Sequence, residues 1–179
     1  MYFYKLKNKF KINDFSVKDE TAYYGIKFGN KVLGLRYCNV DSIEKDIFLS
    51  VLPERYRSAP VFLSMESNCY IAPHTDSKIQ ATINFYIRPD NCETSFYSFK
   101  NKTEGFKQSN QTNGATYKLK DLSLESSYIA DEGDAYLLDV SKPHSVKPLN
   151  KIANRFSLCL QFIDYNFKEV YDMLKEMDR

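Results

Sequence analysis

The residues able to do chemistry in this chain are few and oddly placed. Only two histidines occur among 179 residues. His74 lies in Ile71-Ala72-Pro73-His74-Thr75-Asp76, two positions before a carboxylate. Residues i and i+2 of a strand point to one face, so His74 and Asp76 could present an imidazole and a carboxylate to the same point. His144, in Asp139-Val140-Ser141-Lys142-Pro143-His144-Ser145, follows the apolar strand-like run Ala135 to Leu138 and could supply a third ligand. Two neutral imidazoles and one carboxylate on one side of an octahedral metal suit Fe(II) and leave positions open for a chelating 2-oxo acid and for oxygen. Farther on, Arg155 opens another strand-like run. Its permanently charged planar fork suits a carboxylate in a confined pocket better than lysine does.

His-x-Asp, a distant His and then Arg155 resemble the signature of the 2-oxoglutarate and Fe(II)-dependent dioxygenases. The runs Ile83-Asn84-Phe85-Tyr86-Ile87 and Glu93-Thr94-Ser95-Phe96-Tyr97 are similar to the small prolyl-hydroxylase-like branch, which includes short phage-encoded members. The resemblance spans residues 70–163. It implies an oxidoreductase that hydroxylates an unidentified primary substrate and releases succinate and CO2. His74, Asp76 and His144 would be the catalytic metal ligands, and the cofactors would be Fe(II), 2-oxoglutarate as co-substrate and O2. An Arg-x-Ser pair commonly holds the distal carboxylate of 2-oxoglutarate in this family, which assigns Arg155 and Ser157 that role.

Periodicity indicates the elements that must position these groups. In Arg155-Phe156-Ser157-Leu158-Cys159-Leu160-Gln161-Phe162 the even positions are all large and apolar, so Arg155 and Ser157 share the opposite face. The run from Ile79 to Ile87 also alternates, placing Thr82, Asn84 and Tyr86 on one face. Asn84 or Tyr86 could contact the co-substrate, and Tyr86 could equally be an amphipathic core tyrosine. Thr94 to Phe99, Ala115 to Leu119 and Leu122 to Ile129 supply further strands, and Asp131-Glu132-Gly133-Asp134 turns the chain into the strand carrying His144.

Toward the N-terminus, Lys5, Lys7, Lys9 and Lys11 suggest a basic first strand or arm, read as a solvated lysine-rich edge in preference to a nucleic-acid arm. Gly29-Asn30, between Gly25-Ile26-Lys27-Phe28 and Val32 to Tyr37, signals a hairpin. Asp41 and Glu44, followed by Ile43, Ile47 and Val51, predict a helix near 42–52 that buttresses the outside of a barrel. Pro60 opens a strand from Val61 to Met65. Phe167, Val170, Tyr171 and Leu174 predict a closing amphipathic helix capped by Asn166 or Asp164. Residues 101–114 are polar apart from Phe106, and read either as a loop over the site that meets substrate or as a surface excursion.

Many short strands and few helices argue for a mainly β fold, a double-stranded β-helix (jelly-roll, cupin-like barrel) with flanking helices. The length fits one domain over residues 1–179. Hydrophobic content of 43% is globular, and a net charge of +2 gives no global argument for nucleic acid. Cys38, Cys69, Cys92 and Cys159 lack C-x-x-C spacing and read as free thiols of a reducing compartment. No signal peptide or membrane span is evident, so the expected location is the cytoplasm, that of the host if the chain is phage-encoded. Two rival readings share the fold class. One is a cupin-like metal-binding protein that does not use 2-oxoglutarate, and the other a structural jelly-roll protein.

Overall fold

The computed structural model describes residues 1–7, 10, 27–28, 31–32, 35–38, 45–67, 70–76, 78–101, 106–107, 114–150 and 155–177. In chain order the first strands are β1 (Phe3–Lys5), β2 (Lys27–Phe28), β3 (Lys31–Val32), β4 (Leu35–Cys38), β5 (Val61–Ser67) and β6 (Ile71–Thr75). They are followed by β7 (Ala81–Arg88), β8 (Cys92–Phe99), β9 (Phe106–Lys107), β10 (Ala115–Thr116) and β11 (Leu122–Ile129). The last three are β12 (Ala135–Leu138), β13 (His144–Pro148) and β14 (Arg155–Phe162). Two α-helices are described, α1 (Lys45–Leu49) and α2 (Phe167–Met177).

The result is a mainly β protein of two six-stranded antiparallel sheets, ordered β1-β12-β7-β14-β5-β4 and β11-β8-β13-β6-β10-β9. From β5 to β8 and again from β11 to β14, successive strands alternate between the sheets. The strip β2-β3 is a separate hairpin, as expected, although its turn at residues 29–30 lies outside the described residues.

The two faces of the first sheet differ. Outward, the alternate residues Ile83, Phe85, Leu158, Leu160 and Phe162 form one apolar core, closed by Phe48 of α1, by Leu52 and by Val170 and Leu174 of α2. Each such fully buried side chain contributes about 1.5–3 kcal/mol. Inward, Tyr86, Tyr136 and Leu138 meet Phe96 and Tyr128 of the second sheet in a smaller aromatic core. The even-odd reading of β14 therefore holds, with the apolar set turned to the helices and Arg155 turned between the sheets.

Helix α2 starts as the sequence indicates, and Asn166 rather than Asp164 is its cap. Asn166 Oδ1 accepts from Glu169 N at 3.1 Å, and Glu169 Oε2 accepts from Asn166 N at 2.7 Å, a reciprocal capping box. Helix α1 ends at Leu49 rather than near 52, and residues 42–44, with the proposed caps at 41 and 44, lie outside the described residues. So does most of the polar segment 101–114, of which only Asn101, Gly114 and the backbone of β9 are described.

Three expectations need correction. Strand β7 begins at Ala81 rather than Ile79, because Lys78 turns the chain at φ 65°. The strand expected over Ala115 to Leu119 stops at Thr116, where Tyr117 N donates to Pro73 O, and Leu119–Asp121 is a 3-10 turn. Asp131 to Asp134 leads not into the strand of His144 but into β12, and the chain crosses to the other sheet before β13. Lys5 is also more than a solvated lysine, since its Nζ lies 2.7 Å from the buried Asp134 carboxylate. No described helix is long and apolar enough to cross a membrane.

Candidate metal centre

Strands β6 and β13 are antiparallel neighbours, and His74 and His144 are directly opposite one another in their register. The register shifts by one residue between the His144/His74 and Val146/Ile71 pairs. This irregularity lets Ile71 and His74, an odd number of positions apart, both line the cleft between the sheets. The two rings lie 4.2 Å apart at 49°, and the face of His144 stacks on Phe96. Asp76, just beyond β6, is held by its own N–H donating to Val140 O at 3.0 Å.

Each histidine pairs its Nδ1 with the backbone carbonyl two residues earlier, His74 with Ala72 O at 2.8 Å and His144 with Lys142 O at 3.0 Å. A carbonyl only accepts, so Nδ1 carries the hydrogen and, in each neutral ring, Nε2 keeps its lone pair. The ligand atoms of His74, Asp76 and His144 all lie within 4.8 Å of one another. His74 Nε2 and Asp76 Oδ1 are 3.5 Å apart. That is too long for a good hydrogen bond and close to the roughly 3 Å between adjacent ligands on a metal with bonds near 2.1 Å. Burial, the neighbouring His74 and the charge of Arg155 outweigh the Lys142 carbonyl and push His144 well below the usual histidine range. It is therefore neutral near pH 7, the form that binds metal. Burial raises the Asp76 carboxyl while His74 draws it back down. The donor set fits a divalent ion. His74 and Asp76 retain 22% and 28% side-chain exposure, which leaves an approach from solvent.

The same cleft is lined by Arg155, Thr82 and Asn84. Arg155 is 2% exposed, the largest fully buried side chain described. Its Nη2 donates to Tyr86 Oη at 3.1 Å, with the guanidinium carbon 5.0 Å from the Tyr86 ring centre. Among the described residues its buried Nη1 has no hydrogen-bond partner, and no carboxylate pairs with the guanidinium. A buried cation with an open N–H edge is costly until an anion arrives.

The four residues singled out first by their chemistry, His74, Asp76, His144 and Arg155, thus line one cleft. Asn84 does too, its Oδ1 accepting from Thr82 Oγ1 at 3.0 Å. Tyr86 is buried behind Arg155 rather than lining the cleft, and its hydroxyl lies 2.6 Å from that of Tyr128. Ser157 is fully buried, with its hydroxyl 3.8 Å from Cys159 Sγ, and on that face it is Cys159 and Gln161, not Ser157, that line the cleft beside Arg155. Sequence reasoning passed over Thr94, Tyr128 and Cys159. For Cys159 the signal was present, because it shares the strand phase of Arg155. For Tyr128 there was none, because its partner stands on the other sheet.

No family model matches this chain, and a search of curated proteins finds no match. Among solved structures, the E. coli protein ycfD, known from an X-ray structure, aligns with 12% identity and a TM-score of 0.38. The alignment covers 62% of this chain and 27% of that one. A likeness of that size carries no argument about fold or activity.

Proposed function

We propose that this chain is a 2-oxoglutarate- and Fe(II)-dependent dioxygenase of the small prolyl-hydroxylase-like branch, built on a double-stranded β-helix. The observation that carries the reading is the meeting, in one cleft, of two Nε2 lone pairs and a carboxylate with the buried Nη1 of Arg155, which has no partner among the described residues. A metal ligand set alone suits many proteins, and a buried arginine alone suits many cores. Together they suit a metal and a carboxylate-bearing co-substrate. The strand orders β12-β7-β14-β5 and β11-β8-β13-β6, with successive strands alternating between sheets, support the jelly-roll assignment.

His74, Asp76 and His144 would hold Fe(II), the carboxylate offsetting part of its charge and the two backbone carbonyls fixing ring orientation. Fe(II) and 2-oxoglutarate, when bound with O2, supply the oxidation, in which one oxygen atom enters a substrate C–H bond and the other ends in succinate as CO2 leaves. Arg155 binds the far carboxylate through Nη1. Thr82, Asn84 and Thr94 furnish the polar wall between the sheets. Phe96 and the aromatic core behind it keep water from the inner side of His144. The primary substrate approaches over the exposed edges of His74 and Asp76.

Anaerobic titration of metal-free protein with Fe(II) and then 2-oxoglutarate tests the reading. The expected result is a visible charge-transfer band that requires both additions. Metal uptake with no response to the oxo acid would favour the cupin-like alternative, and no uptake the structural one.

A further inference from the structure

We infer that Tyr86 and Tyr128 are a positioning pair for Arg155, holding the guanidinium so that only its Nη1 edge meets the bound carboxylate. The inference rests on the reading that Arg155 receives an anion, and adds which edge does so and what holds it there.

The pair spans the molecule. Tyr86 stands on β7 in the first sheet and Tyr128 on β11 in the second, and their hydroxyl oxygens meet at 2.6 Å between the sheets. Arg155 Nη2 donates to Tyr86 Oη at 3.1 Å. The Tyr86 oxygen thus accepts from a cation on one side and shares a hydrogen with Tyr128 on the other. Tyr128 is itself locked, its ring stacked on Tyr136 at 4.0 Å and 11° and flanked by Phe3 at 4.7 Å. A guanidinium is planar, so one hydrogen bond at Nη2 and one ring at its side limit the orientations of the whole fork. With Nη2 engaged, the buried nitrogen left to a ligand is Nη1, which has no partner among the described residues. Neither tyrosine lines the cleft, so both act through Arg155.

Glutarate carries the two carboxylates of 2-oxoglutarate without the 2-oxo group, so it probes the Arg155 seat without a chelating end. Calorimetry with glutarate on metal-free protein compares wild type, Tyr86→Phe, Tyr128→Phe, Arg155→Lys and Tyr128→Phe/Arg155→Lys. We expect Tyr86→Phe to weaken binding about tenfold and Tyr128→Phe about 2- to 10-fold, the range for one neutral hydrogen bond. Tyr128→Phe is expected to add nothing once Arg155 is lysine. Melting temperatures, followed in parallel, report loss of packing in either background, whereas the non-additive loss of affinity is specific to positioning. Wild-type affinity in either tyrosine variant overturns the inference. So does a Tyr128→Phe effect of equal size in the Arg155→Lys background, or no glutarate binding by wild type. If the coupling is found but Fe(II) with 2-oxoglutarate gives no charge-transfer band, the positioning pair stands and the oxygenase reading falls.

Discussion

His74 and His144 face each other across neighbouring antiparallel strands with ring centres 4.2 Å apart, and each points Nδ1 away to the backbone carbonyl two residues earlier. Two lone pairs converging without a hydrogen between them make a poor packing contact and a good metal seat. Replacing His74, Asp76 or His144 by Ala is expected to weaken Fe(II) binding by more than the roughly 10- to 100-fold that loss of a supporting hydrogen bond costs. Equilibrium titration of each variant checks this, and wild-type affinity in any one of them removes that residue from the ligand set.

Arg155→Lys retains a positive charge but gives up the planar fork. A charge-assisted hydrogen bond is worth roughly 1.5–3 kcal/mol, so 2-oxoglutarate affinity should fall about 10- to 100-fold while Fe(II) affinity is kept. Unchanged co-substrate affinity would move the anchor to another cation.

Gly114 reaches the centre from outside it. A Cβ there would lie 1.9 Å from Thr75 O and 3.6 Å from the Asp76 Cα. Backbone must give way, and the backbone concerned belongs to a proposed ligand. Gly114→Ala should destabilise the fold by roughly 1–3 kcal/mol and also weaken metal binding, although Gly114 touches no metal. Calorimetry and metal titration read the two effects separately, and a variant with wild-type values for both would contradict this close approach.

Cys159 sets an alkaline limit. Burial pushes its thiol up to about 11 against the pull of Arg155, whereas an unfolded cysteine ionises near 8.5. Between those values the folded chain binds more protons than the unfolded one, so stability falls as pH rises through that window. Cys159→Ala should flatten this part of the melting profile. An equally steep alkaline loss in the variant would place its origin elsewhere.

Asn166→Ala removes one side of the reciprocal cap on α2, a helix whose Val170 and Leu174 close the outer core. The expected cost is about 1 kcal/mol, read as a fall of roughly 2–4 °C in melting temperature for a chain of this size. No change would mean that the first turn of α2 contributes little to the stability of the fold.

What was legible in the sequence followed from period and side-chain chemistry. The alternation of β14 separates Arg155 from Phe156 and Leu158 because a strand has only two faces, and His-x-Asp works for the same reason. The register shift that brings Ile71 to the side of His74 was not legible, since it depends on how β13 pairs. Nor was the meeting of Tyr86 with Tyr128, because no local pattern says which strands of opposite sheets will face each other. Tyr86 therefore read as either a ligand contact or a core residue, and the structure places its hydroxyl on Arg155, between the two descriptions.

The open edge of Arg155 also bears on how long the protein survives. A ligand that binds only the folded chain adds RT ln(1 + [L]/Kd) to its stability, about 2.7 kcal/mol at a hundred times Kd. Where the anion is plentiful, the folded population gains that margin against proteolysis. Where it runs short, a chain that binds an anion as proposed would again carry an uncompensated charge in its interior and lose that margin. If the proposed anion binding holds, the amount of protein in a cell would then track the supply of that anion, through a single guanidinium nitrogen.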